Sequence, residues 1–228
     1  MSRSASASAL QAPIAILAYH QTAPMPRRGV PCRTFTLSPA AFRAQMRGLW
    51  LMGYRGLSMR DLEPYLRGEQ TGKVVGITLD DGYLNNFEYA LPVLREFGFT
   101  ATSFMVSGQF GGSNVWDQQV GVPAAQLMDV AHLKAWVAAG MEVGAHTRNH
   151  VKLTECDEAT AREEITGARH DLESALGCEV RHFCYPYGLY RDEHARMVRE
   201  AGYQSGATSD STRARAGGDP MGLPRISI

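Results

Sequence analysis

The chain has 228 residues, of which 44% are hydrophobic and 20% are charged, a balance typical of a soluble globular protein with one sizeable core. Lysine plus arginine (23) equals aspartate plus glutamate (23), and no basic block with interleaved aromatic residues occurs, so we expect no nucleic-acid binding. No apolar stretch reaches transmembrane length, and the early run over 14–19 is too short for the core of a signal peptide.

The four cysteines form no CxxC pair, so neither a zinc ribbon nor a redox motif is predicted. Reduced thiols and the lack of a leader peptide predict a cytoplasmic location, whereas a chain whose leader had been removed would work in the periplasm or outside the cell. We expect a disordered leader over residues 1–12, which are rich in serine and alanine, and a single catalytic domain over 13–228. The sequence does not predict an oligomeric state.

Apolar strands and helical patterns alternate along the chain. Strands are predicted at 14–19, 74–79, 100–106, 141–146 and 180–184, with weaker ones near 203–208 and 223–228. Helices are predicted over 39–52, after Ser58, up to Phe97, and over 130–139, 157–176 and 192–201, with a glycine-rich loop over 108–123. This alternation predicts parallel strands with crossover helices, in a closed or partly closed α/β barrel at least as well as in an open doubly wound sheet.

Two of these strands run directly into polar residues. The strand over 74–79 meets Asp80 and Asp81, and the strand over 141–145 meets His146 and His150. An Asp-Asp-Gly sequence alone is more often a turn, and an HxxxH pair alone is weak evidence. Both motifs follow apolar strands, however, so they should share one face of the barrel. Two imidazoles and a carboxylate there would make a catalytic metal site, and the cation would offset the cost of charge beside an apolar core.

Three motifs in this order resemble those of the polysaccharide deacetylase family, also called the NodB-homology or carbohydrate esterase family 4 proteins. TLDDG (78–82) is similar to the first motif, T-F-D-D-G; HTRNH (146–150) matches the second, H-[ST]-x-x-H; and FCYPYG (183–188) ends in the P-Y-G of the third. The resemblance implies a distorted (β/α) barrel. It also implies metal-dependent removal of N-acetyl groups from an amino sugar or its polymer, of the poly-N-acetylglucosamine, chitin or peptidoglycan type.

The same resemblance implies roles for the first two motifs. Asp80 would be the general base, and Asp81, His146 and His150 would hold one divalent metal ion. Zn²⁺ is the first expectation, and the mixed oxygen and imidazole set also admits Co²⁺, Ni²⁺ or Mn²⁺. The metal would activate the attacking water while Asp80 accepts its proton.

The third motif implies that a backbone N–H at Tyr187 stabilises the oxyanion, with Tyr185 and Pro186 beside the substrate. A Pro-Gly turn is the simpler explanation of this segment. Trp116, in the glycine-rich loop, could offer its indole face to a sugar ring or could be part of a purely structural loop.

Two parts of the usual family pattern are absent. An arginine that orients the base usually occupies the position of Cys184, and the late Leu-x-His motif that supplies the general acid is missing. The chain resembles a subgroup with circularly permuted motifs, the biofilm poly-N-acetylglucosamine deacetylases, and His20, at the end of an early strand, is the candidate acid. A histidine that only satisfies backbone groups is the alternative. The missing arginine could be Arg225 or Arg148, and spacing does not decide between them.

Other features have simpler interpretations. Glu163 and Glu164, with neighbouring arginines, indicate a solvated helix face. Two further functions stay open: a related C–N hydrolase acting on a cyclic imide or ureide, and a catalytically silent carbohydrate-binding protein.

Overall fold

The computed structural model describes residues 12–228, so the predicted leader lies outside the described residues except for Ala12. Within that range, helices and strands alternate. The helices are α1 Pro39–Leu51, α2 Met59–Leu66, α3 Leu91–Glu96, α4 Val130–Ala138, α5 Glu158–Leu176 and α6 Asp192–Glu200. The strands are β1 Ile16–Tyr19, β2 Gln21–Thr22, β3 Thr36–Leu37, β4 Arg55–Leu57, β5 Val74–Leu79, β6 Thr102–Met105, β7 Glu142–Ala145, β8 His182–Cys184, β9 Ser205–Ala207 and β10 Ile226–Ser227.

Eight strands of the described part form one parallel sheet in the order β10-β1-β5-β6-β7-β8-β9, with β4 paired to the beginning of β5. The final segment of the chain touches both edges of this sheet. Leu223 bridges Ala207 of β9, and Ile226 pairs with Leu17 of β1. The sheet therefore curls into an incomplete barrel, which confirms the predicted distorted (β/α) barrel.

Two apolar clusters hold the barrel together. The larger one lies between the sheet and the outer helices and includes Phe42 of α1 and Trp136 of α4. The smaller one joins strand residues such as Ile16 and Phe104 to Leu62 of α2. The amino end of α2 is bound to the amino ends of two strands, since Thr102 Oγ1 and the Glu142 carboxylate accept its first backbone N–H groups. Helix α2 therefore covers the barrel at the amino ends of its strands, and the carboxyl ends stay open.

Most predicted elements are confirmed, and their caps are the expected ones. Ser38 accepts a hydrogen bond from Ala41 N at the start of α1, and Asp129 accepts one from His132 N at the start of α4. Strand β4 and the small parallel pair β2–β3 were not predicted. The prediction of one catalytic domain over 13–228 stays a prediction.

Over residues 12–228, the helices are all too short or too polar to traverse a bilayer. The predicted cytoplasmic location stays a prediction.

Candidate metal centre

The carboxyl ends of the barrel strands surround a cavity of about 310 Å³. Strands β1, β5, β7 and β8 are followed directly by His20, Asp80, His146 and Tyr185, and all four side chains line this cavity. The parallel arrangement brings them together because strands that run in one direction end at one edge of the sheet.

Asp81 and Gly82 both have left-handed backbone conformations, with φ of 70° and 79°. Asp tolerates this region better than most residues, and glycine suits position 82 because of its φ and because a Cβ there would lie 2.1 Å from Met105 Sδ. The turn begins at once after the strand. The two adjacent carboxylates, Asp80 and Asp81, consequently meet different partners.

The Asp81 carboxylate faces two imidazoles. His146 Nε2 lies 3.5 Å and His150 Nε2 lies 3.3 Å from Asp81 Oδ1, yet this buried oxygen has no hydrogen-bond partner. His146 Nδ1 donates to the Cys184 carbonyl at 2.8 Å, which leaves its Nε2 free to act as a ligand. Ligand atoms bound at roughly 2.0–2.1 Å to a tetrahedral zinc ion lie about 3.4 Å apart. The spacing and the unpartnered oxygen therefore fit three ligands of one divalent ion.

The two imidazoles also set the charge of this carboxylate. Burial works to raise the pKa of Asp81, but the imidazoles of His146 and His150 outweigh it and hold that pKa well below its usual range. An ionised carboxylate and unprotonated Nε2 atoms are what a metal ion requires.

Asp80 is held by Arg225. Its two oxygens accept hydrogen bonds from Arg225 Nη1 and Nη2, both at 2.7 Å, and Arg225 Nε donates to the Thr208 carbonyl. Burial works to raise the pKa of Asp80, but the guanidinium prevails and the pKa lies below its usual value. Arg225 Nη2 also lies 3.0 Å from Cys184 Sγ, so the guanidinium reaches the residue position where the family pattern has its arginine.

The other candidate arginine lies elsewhere. Arg148 donates to both oxygens of Asp171 on α5, at 2.7 Å each. Between the two arginines that the sequence left open, the structure places Arg225, and not Arg148, against Asp80.

A second group of potential ligands overlaps the first. Atoms of Asp80, His146 and Cys184 also lie within 4.8 Å of one another. Arg225 already binds both oxygens of Asp80, however, whereas Asp81 Oδ1 is unpartnered. The group formed by Asp81, His146 and His150 is thus the better candidate metal site.

His20 lies beside the two carboxylates. Its backbone is fixed by the buried Asn86 side chain, which accepts from Thr22 N and donates to the His20 carbonyl. Its ring packs on Phe35 with centroids 4.6 Å apart, and its buried Nδ1 has no hydrogen-bond partner in the described structure. The ring is therefore not occupied by satisfying backbone groups at the strand end.

The remaining predicted site residues differ in position. Trp116 stacks on His150 with centroids 4.6 Å apart, and Tyr187, which has a φ of 61°, is 47% exposed at the cavity. Tyr185 lines the cavity but is buried, and its hydroxyl donates to the Met221 carbonyl. Pro186 is buried and does not belong to the described cavity lining.

Several residues at the site were not predicted. Phe35, Cys32 and Asp117 line the cavity, and their loops carry no periodic pattern that could have indicated this. The expectation of a solvated face on α5 is wrong for Glu164, which is only 6% exposed and binds the segment that carries the two histidines.

Comparison with known proteins agrees with this geometry. The sequence profile of the family described as polysaccharide deacetylase matches residues 67–206, more than half of the chain, and this range contains all three motifs. The chain belongs to the polysaccharide deacetylase family. YxkH of Bacillus subtilis (strain 168), whose name assigns it to the same family, is 25% identical over 189 residues, which cover 82% of this chain and 63% of YxkH.

Other known proteins are similar to this chain in sequence or in fold. The poly-β-1,6-N-acetyl-D-glucosamine N-deacetylase of Staphylococcus epidermidis is 22% identical over 200 residues, which cover 86% of this chain and 69% of that protein. The structure of IcaB from Ammonifex degensii superposes with a TM-score of 0.83 and 26% identity, covering 95% of this chain and 91% of IcaB. The Streptococcus pyogenes deacetylase PplD in complex with acetate has the same fold, with a TM-score of 0.81, 24% identity and coverages of 96% and 93%.

Proposed function

We propose that this chain is a metal-dependent hydrolase that removes N-acetyl groups from an N-acetylated amino sugar or its polymer and releases acetate. The proposal rests mainly on one observation: His146 Nε2 and His150 Nε2 converge on the buried, unpartnered Oδ1 of Asp81, the residue next to Asp80. Family membership supports the reaction class.

In this proposal Asp81, His146 and His150 hold the divalent ion, with Zn²⁺ as the first expectation and Co²⁺, Ni²⁺ or Mn²⁺ as alternatives. Such an ion supplies Lewis-acid activation of water and of the amide carbonyl. The Nε2 atoms and the carboxylate oxygen meet in a buried position, where competition from water is small.

Asp80 is the proposed general base. Because Arg225 keeps its pKa low, Asp80 is ionised at neutral pH and can accept the proton of the attacking water. The guanidinium also fixes the direction of the carboxylate through its two parallel hydrogen bonds. Arg225 thus acts by positioning the base.

His20 is the proposed general acid. After the water oxygen has bonded to the carbonyl carbon, the C–N bond breaks, and the amine nitrogen must gain a proton to leave. An imidazole suits this step because its ordinary pKa of about 6.5 lets it hold and release a proton near neutrality. The unpartnered Nδ1 of His20 supports this role.

The cavity wall supplies the remaining contacts in the proposal. The backbone N–H of Tyr187 stabilises the oxyanion, and the left-handed conformation there is of the strained kind that clusters at functional sites. The rings of Trp116 and Tyr187 offer apolar surface to a sugar ring, whereas Tyr185 is fully buried and supports the cavity wall. Buried Pro186 shapes the segment from beneath and is not a proposed substrate contact.

Poly-β-1,6-linked N-acetylglucosamine is the proposed polymer. The sequence relatives from Staphylococcus that bear this substrate in their names support it, as does the position of the candidate acid directly after the first strand. Chitin-like and peptidoglycan-type oligomers are the substrates to compare with it.

Acetate release from these oligomers tests the proposal. Protein purified without added metal should contain about one divalent ion per chain, release acetate, lose this activity with a chelator and regain it with Zn²⁺ or Co²⁺. Asp80→Asn should abolish release but retain the ion. Ring opening of a cyclic imide without acetate release would favour a related C–N hydrolase, and sugar binding with no turnover would indicate a silent binding protein.

A further inference from the structure

The segment from His146 to His150 has an unusual backbone. Thr147 and His150 both have left-handed conformations, with φ of 61° and 56°. Neither is glycine, and threonine is β-branched, so both conformations are strained. Such a backbone persists only where surrounding contacts impose it. The two imidazoles converge on Asp81 through this segment, so whatever imposes the conformation also shapes the metal centre.

Glu164 of helix α5 binds the middle of this segment. Glu164 Oε2 accepts hydrogen bonds from the backbone N–H groups of Arg148 and Asn149, both at 2.9 Å, and Oε1 accepts one from Asn149 Nδ2 at 2.6 Å. Glu164 is 6% exposed. One buried carboxylate thereby binds two successive peptide N–H groups midway between the two histidines.

Two glycines lie where the histidine segment and its flanking residues approach neighbouring parts of the chain most closely. Gly108 N donates to the Arg148 carbonyl at 2.8 Å, and a Cβ on Gly108 would lie 2.6 Å from that carbonyl oxygen. A Cβ on Gly167 of α5 would lie 2.5 Å from Arg148 Nε. Glycines on both sides therefore allow the segment to approach α5 closely enough for Glu164 to reach the backbone.

We infer that Glu164 is a positioning residue for the metal centre, a role that rests on the proposed function. It holds the peptide groups of Arg148 and Asn149 so that Thr147 and His150 keep their left-handed conformations. Without it, the segment relaxes and His150 Nε2 moves away from Asp81 Oδ1. Metal affinity then falls although all three ligands are still present.

Co²⁺ binding tests this role through a readout other than activity. The metal-free protein is titrated with Co²⁺ and the visible absorption of the bound ion is recorded, since its bands report on coordination. Glu164→Ala should weaken Co²⁺ binding by about tenfold or more, as is typical for the loss of a residue that orients a ligand, and should change the bands. Glu164→Gln keeps one acceptor but loses the charge, so it should weaken binding by a smaller factor.

The neighbouring Glu163 provides the matched control. Its side chain is 68% exposed and pairs with the Arg148 guanidinium rather than with the backbone of the histidine segment. Glu163→Ala and Glu163→Gln should bind Co²⁺ like the wild type. Circular dichroism and thermal unfolding of each metal-free variant show whether it folds.

The outcomes separate the two proposals. A wild-type protein that binds no Co²⁺ overturns the proposed function and, with it, the role of Glu164. Wild-type binding together with a folded Glu164→Ala variant of equal affinity and unchanged bands overturns the role of Glu164 alone. If Glu164→Ala does not fold, the comparison of Glu164→Gln with Glu163→Gln decides, and equal affinities contradict the inference.

Discussion

The proposed base depends on one guanidinium from the far end of the chain. Arg225 is 1% exposed and forms a bidentate pair with Asp80, whose side chain is 5% exposed. Removing one partner of such a buried pair leaves the other charge uncompensated. Substitution of Arg225 should therefore lower both the stability of the protein and its catalytic activity.

Arg225→Ala should lower the free energy of unfolding by about 3–5 kcal/mol, because Asp80 stays buried without its partner. Arg225 lowers the pKa of Asp80, so its removal raises that pKa, and the acidic limb of the pH–activity profile should move to higher pH. Urea unfolding and acetate release measured across pH check both effects. Arg43→Ala, which removes an exposed ion pair with Glu96 away from the site, is the control, and an Arg225→Ala profile that matches the wild type would contradict the pairing.

Cys184 allows a stricter test of the same contact. Its Sγ lies 3.0 Å from Arg225 Nη2 and 3.7 Å from Asp80 Oδ2, so an arginine at 184 would compete for the same space. Cys184→Arg alone should destabilise the protein because two guanidinium groups would be buried together. In the Arg225→Ala background, the same substitution should restore part of the lost activity. A double-mutant cycle measures the coupling between the two substitutions. Strictly additive effects on activity would argue against a shared position of the two guanidinium groups.

His20 should matter most when the leaving group needs a proton. His20→Ala should reduce acetate release from an N-acetylated sugar by about 10²–10⁴-fold, the usual range for a general acid. An activated aryl acetate, whose leaving phenolate needs no proton, should lose much less activity. Equal losses on both substrates would contradict the role, and unchanged Co²⁺ binding shows that the metal centre is intact.

Helices and strands that a short stretch of sequence specifies, by an apolar run or a capping residue, are the easiest to predict. Strand β5 was predicted with its observed bounds because its continuous apolar run is covered on both faces. Helices α1 and α4 were predicted because Ser38 and Asp129 mark their first turns. Strand β4 was missed because it has only three residues, one of them an exposed arginine.

The contribution of one such cap can be measured. Ser38→Ala should lower the free energy of unfolding by about 1 kcal/mol, because Ala41 N loses its acceptor. Ser38→Gly should lower the free energy of unfolding by only a few tenths of a kcal/mol. Neither variant should change Co²⁺ affinity, since α1 contributes no ligand. Urea unfolding of both variants checks the difference, and equal costs would argue against a side-chain cap.

Contacts between distant elements could not be predicted from local pattern. Arg225 and Asp80 are 145 residues apart, and their pairing depends on the final segment closing the barrel between β9 and β1. Glu164 lies in a helix whose charged sequence indicates a solvated face, and only the approach of the histidine segment buries it. The motifs identified the metal ligands as candidates, but not the residues that hold them in place.

At the scale of the whole molecule, the barrel brings residues from the first and last parts of the chain to one cavity. His20 follows the first strand and lines the cavity together with Asp81, whereas Arg225, which precedes the last strand, is buried and binds Asp80 of the cavity wall. A single ion, bound by side chains from two strand ends, should therefore lie among Asp81, His146 and His150 at this cavity. Its ligands should be nitrogen and oxygen atoms only.

X-ray absorption of the zinc-loaded protein distinguishes this ligand set from any other. We expect one ion per chain, bound by two imidazole nitrogens and carboxylate or water oxygens at about 2.0–2.1 Å, with no sulfur neighbour. Asp81→Ala and His150→Ala should each lose the ion, whereas Cys184→Ser should leave the spectrum unchanged. A sulfur neighbour at about 2.3 Å would instead identify Cys184 as a ligand. If the Asp81→Ala variant also gave the wild-type spectrum, the two results would together contradict the proposed centre.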